Sequence, residues 1–296
     1  MTDAHLLFDR ALIRRRRRRA AALGPATFLL ERVAEDMADR LAVVLHRFDC
    51  VLDLGTPGEA VRTALQRLGS IGSIVAADTL PRARPSVTAD EEALPFIDGS
   101  FDLVVSALAL QHVNDLPGTL IQIRRALKPD GLLLAAFLGG ESLTELRSAF
   151  AAAESDIEGG ASPRVAPFAD LRDVGALLQR AGFALPVTDI DRVVVRYDSM
   201  FGLMQDLRRM GATNALLARR RTPLRRATLM RAAEIYAGDF ADADGRVRAT
   251  FEIVWLSGWV PHASQQQPLQ PGTAKARLAD ALRTNEIPAG EKTGGR

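Results

Sequence analysis

Apolar and polar positions along this chain follow two periods in turn. Ala26 to Phe48 repeats at helical spacing and reads as one amphipathic helix leading into a sheet. Short apolar runs then alternate with helical stretches: strand 50–54, helix 58–68, strand 73–77, short strand 86–89, strand 101–106, helix 114–127 and strand 131–138. Lys128-Pro129-Asp130-Gly131 is a sharp turn that ends the last of these helices and starts the fifth strand. Strands separated by helices in this rhythm predict an α/β chain, with a doubly wound, mostly parallel sheet covered by helices on both faces.

After Gly139-Gly140 the rhythm changes. A helix from Glu141 to Glu154 leads to the flexible connection Gly159-Gly160-Ala161-Ser162-Pro163, and a helix from Asp170 to Ala181 is closed by Gly182. β-rich runs at 187–197 and 249–260 enclose two helical stretches, about 199–210 and 223–237. This helical insertion before the last strand, about 199–246 in all, is expected to cover a pocket and to carry substrate choice. The domain is expected to span 25–264, with its core at 45–140. An exposed basic arm at 1–24, becoming helical, precedes it, and a disordered tail rich in Gln, Pro and Gly follows at 265–296.

Composition narrows the function classes. A length of 296 residues, 47% of them hydrophobic, suffices for one large domain with a substantial subdomain. One cysteine, Cys50 at the start of the first strand, excludes a disulfide framework and reads as core. The four histidines show no metal-ligand spacing, so no metal is expected. No apolar run approaches the length of a membrane span.

Charge is nearly balanced at +2, but the arginines cluster. Arg14 to Arg19 is an unbroken run of six, and Arg219-Arg220-Arg221 with Arg225-Arg226 forms a second group. The first run suits an acidic protein surface or an anionic membrane, against the plainer reading of a solvated helix face. No RNA-reading motif or stacking platform accompanies it, so nucleic acid is not expected. Asp3 and Asp9 argue against an organellar transit peptide. The expected location is cytoplasmic, with the arginine run as a peripheral contact to the inner membrane.

Candidate chemistry lies at the ends of the first strands. Val51-Leu52-Asp53-Leu54-Gly55-Thr56-Pro57-Gly58-Glu59 is strand, glycine loop and helix start, a geometry that turns backbone N–H groups and a helix N-terminus toward a ligand. About twenty residues on, the second strand ends at Asp78, the spacing at which such folds bind ribose hydroxyls. Asp90-Glu91-Glu92-Ala93-Leu94-Pro95-Phe96 then forms an acidic loop with a proline-broken apolar clamp. The loop lacks the G-x-G-x-x-G of a dinucleotide site and is instead preceded by an acid.

Loop, acid and clamp in this order resemble the class I S-adenosylmethionine (SAM) methyltransferases. The resemblance implies a seven-stranded Rossmann-like sheet and SAM as cofactor. It gives Asp53, Gly55 and Gly58 to the methionine end and Asp78 to the ribose. Asp90 takes the adenine amine with Glu91 next to it, Leu94 packs on the ring, and Ser106, Leu108 and His112 lie on the substrate side. His112 is a weak candidate base, since relatives carry tryptophan there. Pro57 stands where the family usually has glycine; it removes an N–H and adds a ring.

Longer passages resemble one family more specifically. They include Phe8-Asp9-Arg10, Val113-Asn114-Asp115-Leu116-Pro117, Gly139-Gly140-Glu141-Ser142-Leu143-Thr144-Glu145-Leu146-Arg147, Pro167-Phe168, Met200-Phe201-Gly202-Leu203-Met204-Gln205-Asp206-Leu207 and Gly258-Trp259. From about residue 8 to 264 the chain is similar to the complex I assembly factor 5 family. That resemblance implies an enzyme acting on a protein, a subunit of the respiratory NADH:quinone oxidoreductase, by methylation or by arginine hydroxylation. Two other readings stay open: a non-catalytic assembly factor with a degenerate SAM loop, and a small-molecule methyltransferase.

Overall fold

The computed structural model describes residues 6–81, 85–166, 171–265 and 278–285. The chain divides into two compact units, Met1–His262 and Ala263–Arg296. The first holds a seven-stranded sheet in the order β3-β2-β1-β4-β5-β7-β6. Its strands are β1 (Phe48–Leu54), β2 (Ile71–Asp78), β3 (Ser86–Thr88), β4 (Phe101–Ala107), β5 (Leu127–Leu138), β6 (Ala184–Tyr197) and β7 (Val247–Trp259). β1 to β5 pair in parallel, and β7 runs antiparallel to both of its neighbours. The expected doubly wound, mostly parallel architecture is therefore the one that forms.

Helices cover both faces because the central strands are apolar on both. Val51, Leu103 and Val105 pack with α2 (Phe28–Ala42) and α3 (Ala60–Leu65), and on that side also lie α5 (Thr144–Glu158), α7 (Met200–Arg209) and α8 (Arg226–Phe240). Leu52, Val104 and Leu133 face the other way, toward α4 (Leu116–Ala126) and α6 (Leu171–Arg180). Successive strand residues thus feed two separate core layers, as a period of two requires.

Boundaries differ from expectation where tertiary pairing intervenes. The long helix expected to Phe48 stops at Ala42, because Phe48 is already paired with Ile71 in the sheet. The turn at 128–131 lies inside β5, which pairs with Phe101 at Leu127 before a register shift. The two helices of the expected insertion are present between β6 and β7. The chain before the sheet is α1 (Arg10–Ala22), capped by the Asp9 carboxylate, which accepts from Leu12 N at 2.9 Å. In the second unit, α9 (Leu278–Leu282) is a short helix; most of the tail expected to be disordered, and Pro167-Phe168, lie outside the described residues.

Candidate functional site

The strand order reverses between β1 and β4, which places a crevice beyond the carboxyl ends of the strands. A cavity of about 380 Å³ opens there. Its floor is the loop after β1. Gly55 has φ +71, and a Cβ on it would stand 2.7 Å from Glu91 Oε1 and 3.0 Å from Ala109 Cβ. Only glycine permits both the left-handed turn and that approach. Pro57, Gly58 and Glu59 continue the floor, so the proline ring does face the cavity.

Four expected site residues do not line this cavity. Asp53 is buried in β1. Ser106 is also fully buried; its hydroxyl donates to Leu54 O at 2.7 Å and ties β4 to β1. Asp90 holds its own loop, accepting from Glu92 N at 2.9 Å. Leu94 packs toward α4, where Gln122 Oε1 accepts from its N–H at 2.9 Å. Gly55, Gly58, Asp78, Glu91, Leu108 and His112 do line it, and so come together from four separate stretches of chain.

The acids are not the open, solvated groups that a strand end and a loop suggest. Asp78 is 2% exposed. Its Oδ1 and Oδ2 accept from Arg17 Nη1 and Nη2 at 3.0 and 2.7 Å, a two-point fork. Arg17 also donates to Gly55 O at 3.3 Å. Arg10 meets all three acids of the loop, with Asp90 and Glu92 each at 2.9 Å and Glu91 in direct contact. Glu91 is 4% exposed, and burial raises its pKa in spite of Arg10 beside it.

These arginines belong to the segment expected as an exposed arm. In the structure α1 roofs the cavity with Arg10, Ile13, Arg14 and Arg17. Arg16 donates to Thr213 O at 2.6 Å and also to Asn214 O, fastening α1 to the loop after α7. That loop passes so close that a Cβ on Gly211 would sit 3.1 Å from Arg17 Cα. Only Arg15, Arg18 and Arg19 of the run remain exposed. The signal missed in the sequence is the spacing of Arg10, Arg14 and Arg17, three cations on one helical face, opposite Asp78 and the acids of the 90–92 loop.

His112 sits in a 3-10 turn at Leu110–His112, edge-on to the Phe8 ring at 5.7 Å between centroids. Burial first, then Arg17 and Arg10, lower its pKa from 6.5 to about 4. The imidazole is neutral at neutral pH and can accept a proton. Unfolded, it would take a proton near pH 6.5 that the folded chain refuses until about pH 4. Its stabilising contribution is thus full above pH 6.5 and is lost as pH falls through about 4. Urea unfolding across that window should show stability rising with pH by at most about 3 kcal/mol from this group. His112→Gln should flatten the rise; an unchanged slope would assign it to other groups.

The donor set fits SAM. The Gly55 turn leaves room for a ligand beside the backbone, and Asp78 and Glu91 bring to the cavity carboxylate oxygens, the kind of acceptor that hydroxyls and an exocyclic amine require. The volume lies in the range of small-molecule cofactor sites.

Comparison with known proteins agrees with this geometry. A family described as "Methyltransferase domain" matches residues 52–135. Among solved structures, YcgJ from Bacillus subtilis superposes with a TM-score of 0.52 at 14% identity, over 77% of this chain and 99% of that one. That likeness concerns the fold. Malonyl-[acyl-carrier protein] O-methyltransferase of Laribacter hongkongensis is 37% identical, over 92% of this chain and 96% of the relative. The mitochondrial arginine-hydroxylase NDUFAF5 of Homo sapiens is 39% identical over 97% of this chain and 87% of its own length. The protein of the same name from Danio rerio is 38% identical over 95% and 91%. The identity over nearly the whole chain shows that it belongs to the arginine-hydroxylase NDUFAF5 family, and its sheet order shows that it is built on the methyltransferase fold.

Proposed function

We propose that this chain is a SAM-binding enzyme that modifies an arginine-bearing protein, a subunit of respiratory complex I. The observation that carries the reading is the convergence of the Gly55 turn, the Asp78 carboxylate and the Glu91 carboxylate on one cavity at the strand ends. SAM, when bound, supplies a sulfonium group that activates its methyl carbon. The protein's own residues bind and orient. The backbone of 55–58 receives the methionine end, Asp78 accepts from the ribose, and Glu91 accepts from the adenine amine. Leu29, Leu30, Leu138, Met210 and Phe251 make the far end of the cavity apolar and exclude water there. His112 lines the cavity, and a pKa lowered to about 4 makes it a weak proton acceptor, which favours a role in shaping the site.

The protein substrate is proposed from the names of the relatives, arginine hydroxylases above all. Arg15, Arg18 and Arg19, exposed on α1, are the contact we assign to an acidic surface of that substrate. Among the described residues no helix is long and apolar enough to cross a membrane. Methylation and hydroxylation differ in the product, which gains one methylene or one oxygen atom in its mass spectrum.

Calorimetric titration of the full chain with SAM and with its demethylated product tests the cofactor. Binding is expected, and Asp78→Ala made in Arg17→Gln protein, where no Arg17–Asp78 pair is left to break, should weaken it by roughly tenfold or more, the loss of a charge-assisted hydrogen bond. Absence of binding by the native chain and by Arg17→Gln alike, the second of which frees Asp78 from its arginine, would defeat the proposal. Equal affinity with and without the Asp78 carboxylate would remove Asp78 from the ribose site.

A further inference from the structure

The carboxylate that suits the ribose is already taken by an arginine of the same chain. Asp78 Oδ1 accepts from Arg17 Nη1 at 3.0 Å and from Leu80 N at 3.2 Å, while Oδ2 accepts from Arg17 Nη2 at 2.7 Å. The Thr79 hydroxyl also donates to Oδ1, at 3.4 Å, and a carboxylate oxygen has two lone pairs, so Oδ1 has no room for a further donor while Arg17 is in place. A vicinal diol presents two O–H donors side by side, the arrangement in which a guanidinium presents two N–H donors. Diol and guanidinium therefore compete for the same edge of Asp78.

The rest of α1 is attached in a way that lets its two ends behave differently. The start is anchored: Phe8 and Ile13 pack with Ala215 and Leu216, and Asn114 Oδ1 accepts from Leu7 N and Phe8 N at 2.8 Å each. Arg10 on the acidic loop belongs to this anchored end. Beyond Ile13 the only buried residue of the helix is Ala20, and Arg16 and Arg17 hold that half by polar contacts. Few apolar contacts resist release of that half.

We propose that Arg17 is an intramolecular latch on the cofactor site, a reading that rests on Asp78 being the ribose acceptor. Arg17 stands in for the ribose hydroxyls and holds α1 down over the cavity. SAM enters when Arg17 leaves Asp78, and the C-terminal half of α1 lifts about its anchored start. Apparent SAM affinity is then reduced by the fraction of molecules with Arg17 released. The latch couples occupancy of the pocket to the position of Arg18 and Arg19, which ride on the same half of the helix.

The test is titration of wild type, Arg17→Gln and Arg17→Lys with SAM, alongside hydrogen exchange of the α1 amides. Arg17→Gln should bind SAM about tenfold more tightly, which corresponds to a latch released about one tenth of the time. Arg17→Lys, which keeps the charge but not the fork, should gain less, and it replaces the first variant should that one fail to fold. Saturating SAM should accelerate exchange in the second half of α1 of the wild type. Binding by Arg17→Gln but not by wild type also supports the latch. Binding by wild type with no gain, or with a loss, in Arg17→Gln overturns the latch alone and makes Arg17 part of the cofactor site. Slower or unchanged α1 exchange in the SAM complex overturns it as well. No binding by any form overturns both the latch and the SAM reading.

Discussion

Gly55→Ala is expected to destroy measurable SAM binding and to lower the melting temperature by roughly 6–12 °C. Two costs add. An alanine at φ +71 carries left-handed strain of about 1–2 kcal/mol. Its Cβ would also stand 2.7 Å from Glu91 Oε1 and 3.0 Å from Ala109 Cβ, and such overpacking costs about 1–3 kcal/mol. Glu91 cannot retreat easily, since it is buried and held by Arg10. Any movement of the 91 side chain also takes an acceptor away from the cavity. Gly58→Ala is the control: φ is +75, but the nearest atom to the new Cβ is Leu30 Cδ2 at 4.0 Å. It should show the strain without the collision, about half of the thermal shift or less. Thermal melts of both variants, with calorimetry for SAM, decide the matter. Equal effects of the two would mean that the Gly55 turn is held by φ alone.

Arg10→Met should destabilise the fold by about 3–5 kcal/mol, the cost of leaving a buried carboxylate without its cation. Arg10 is the shared partner of Asp90, Glu91 and Glu92, and Glu91 is the buried member of the three. The pH dependence has a fixed sign. Burial already holds the folded pKa of Glu91 above its ordinary 4.5, so its protonated form favours the fold. That contribution is full below pH 4.5 and is lost as pH rises through the folded pKa. Without Arg10 the folded pKa rises further, so the penalty grows with pH above 4.5 and shrinks in acid. Adding Glu91→Gln to Arg10→Met should recover much of the loss, because no buried charge then remains unpaired at that position. Denaturant unfolding of the single and double variants at two pH values measures this. A penalty independent of pH would move the cost from Glu91 to lost packing of the Arg10 stem.

The two variants also separate parts of the site that sequence reading treated alike. The glycine loop, the acid ending β2 and the acidic loop were all legible, because each is a local pattern: a strand period broken by glycine, proline or an acid. The roles of individual residues within those patterns were not. Asp53 and Ser106 lie in apolar strands and point into the interior, whereas Gly55 and Leu108, each one residue past its strand end, reach the cavity. A period of two gives the face of the sheet, but the last turn of chain decides what meets the pocket.

The alternation of strands and helices, and with it the parallel sheet, its crevice and the family, follows from the residues in order along the chain. Each of these follows from apolar periodicity and turn residues within short windows, where chain connectivity already limits the outcome. The fate of the arginine run depends instead on contacts between distant parts of the chain. Arg17 meets an acid 61 residues away and Arg10 one 81 residues away, and their helix closes the cavity instead of projecting into solvent. The physical reason is that charge carries no address. A row of arginines is equally suited to water, to a partner or to acids of its own chain, and burial of those acids beneath α1 selects the last.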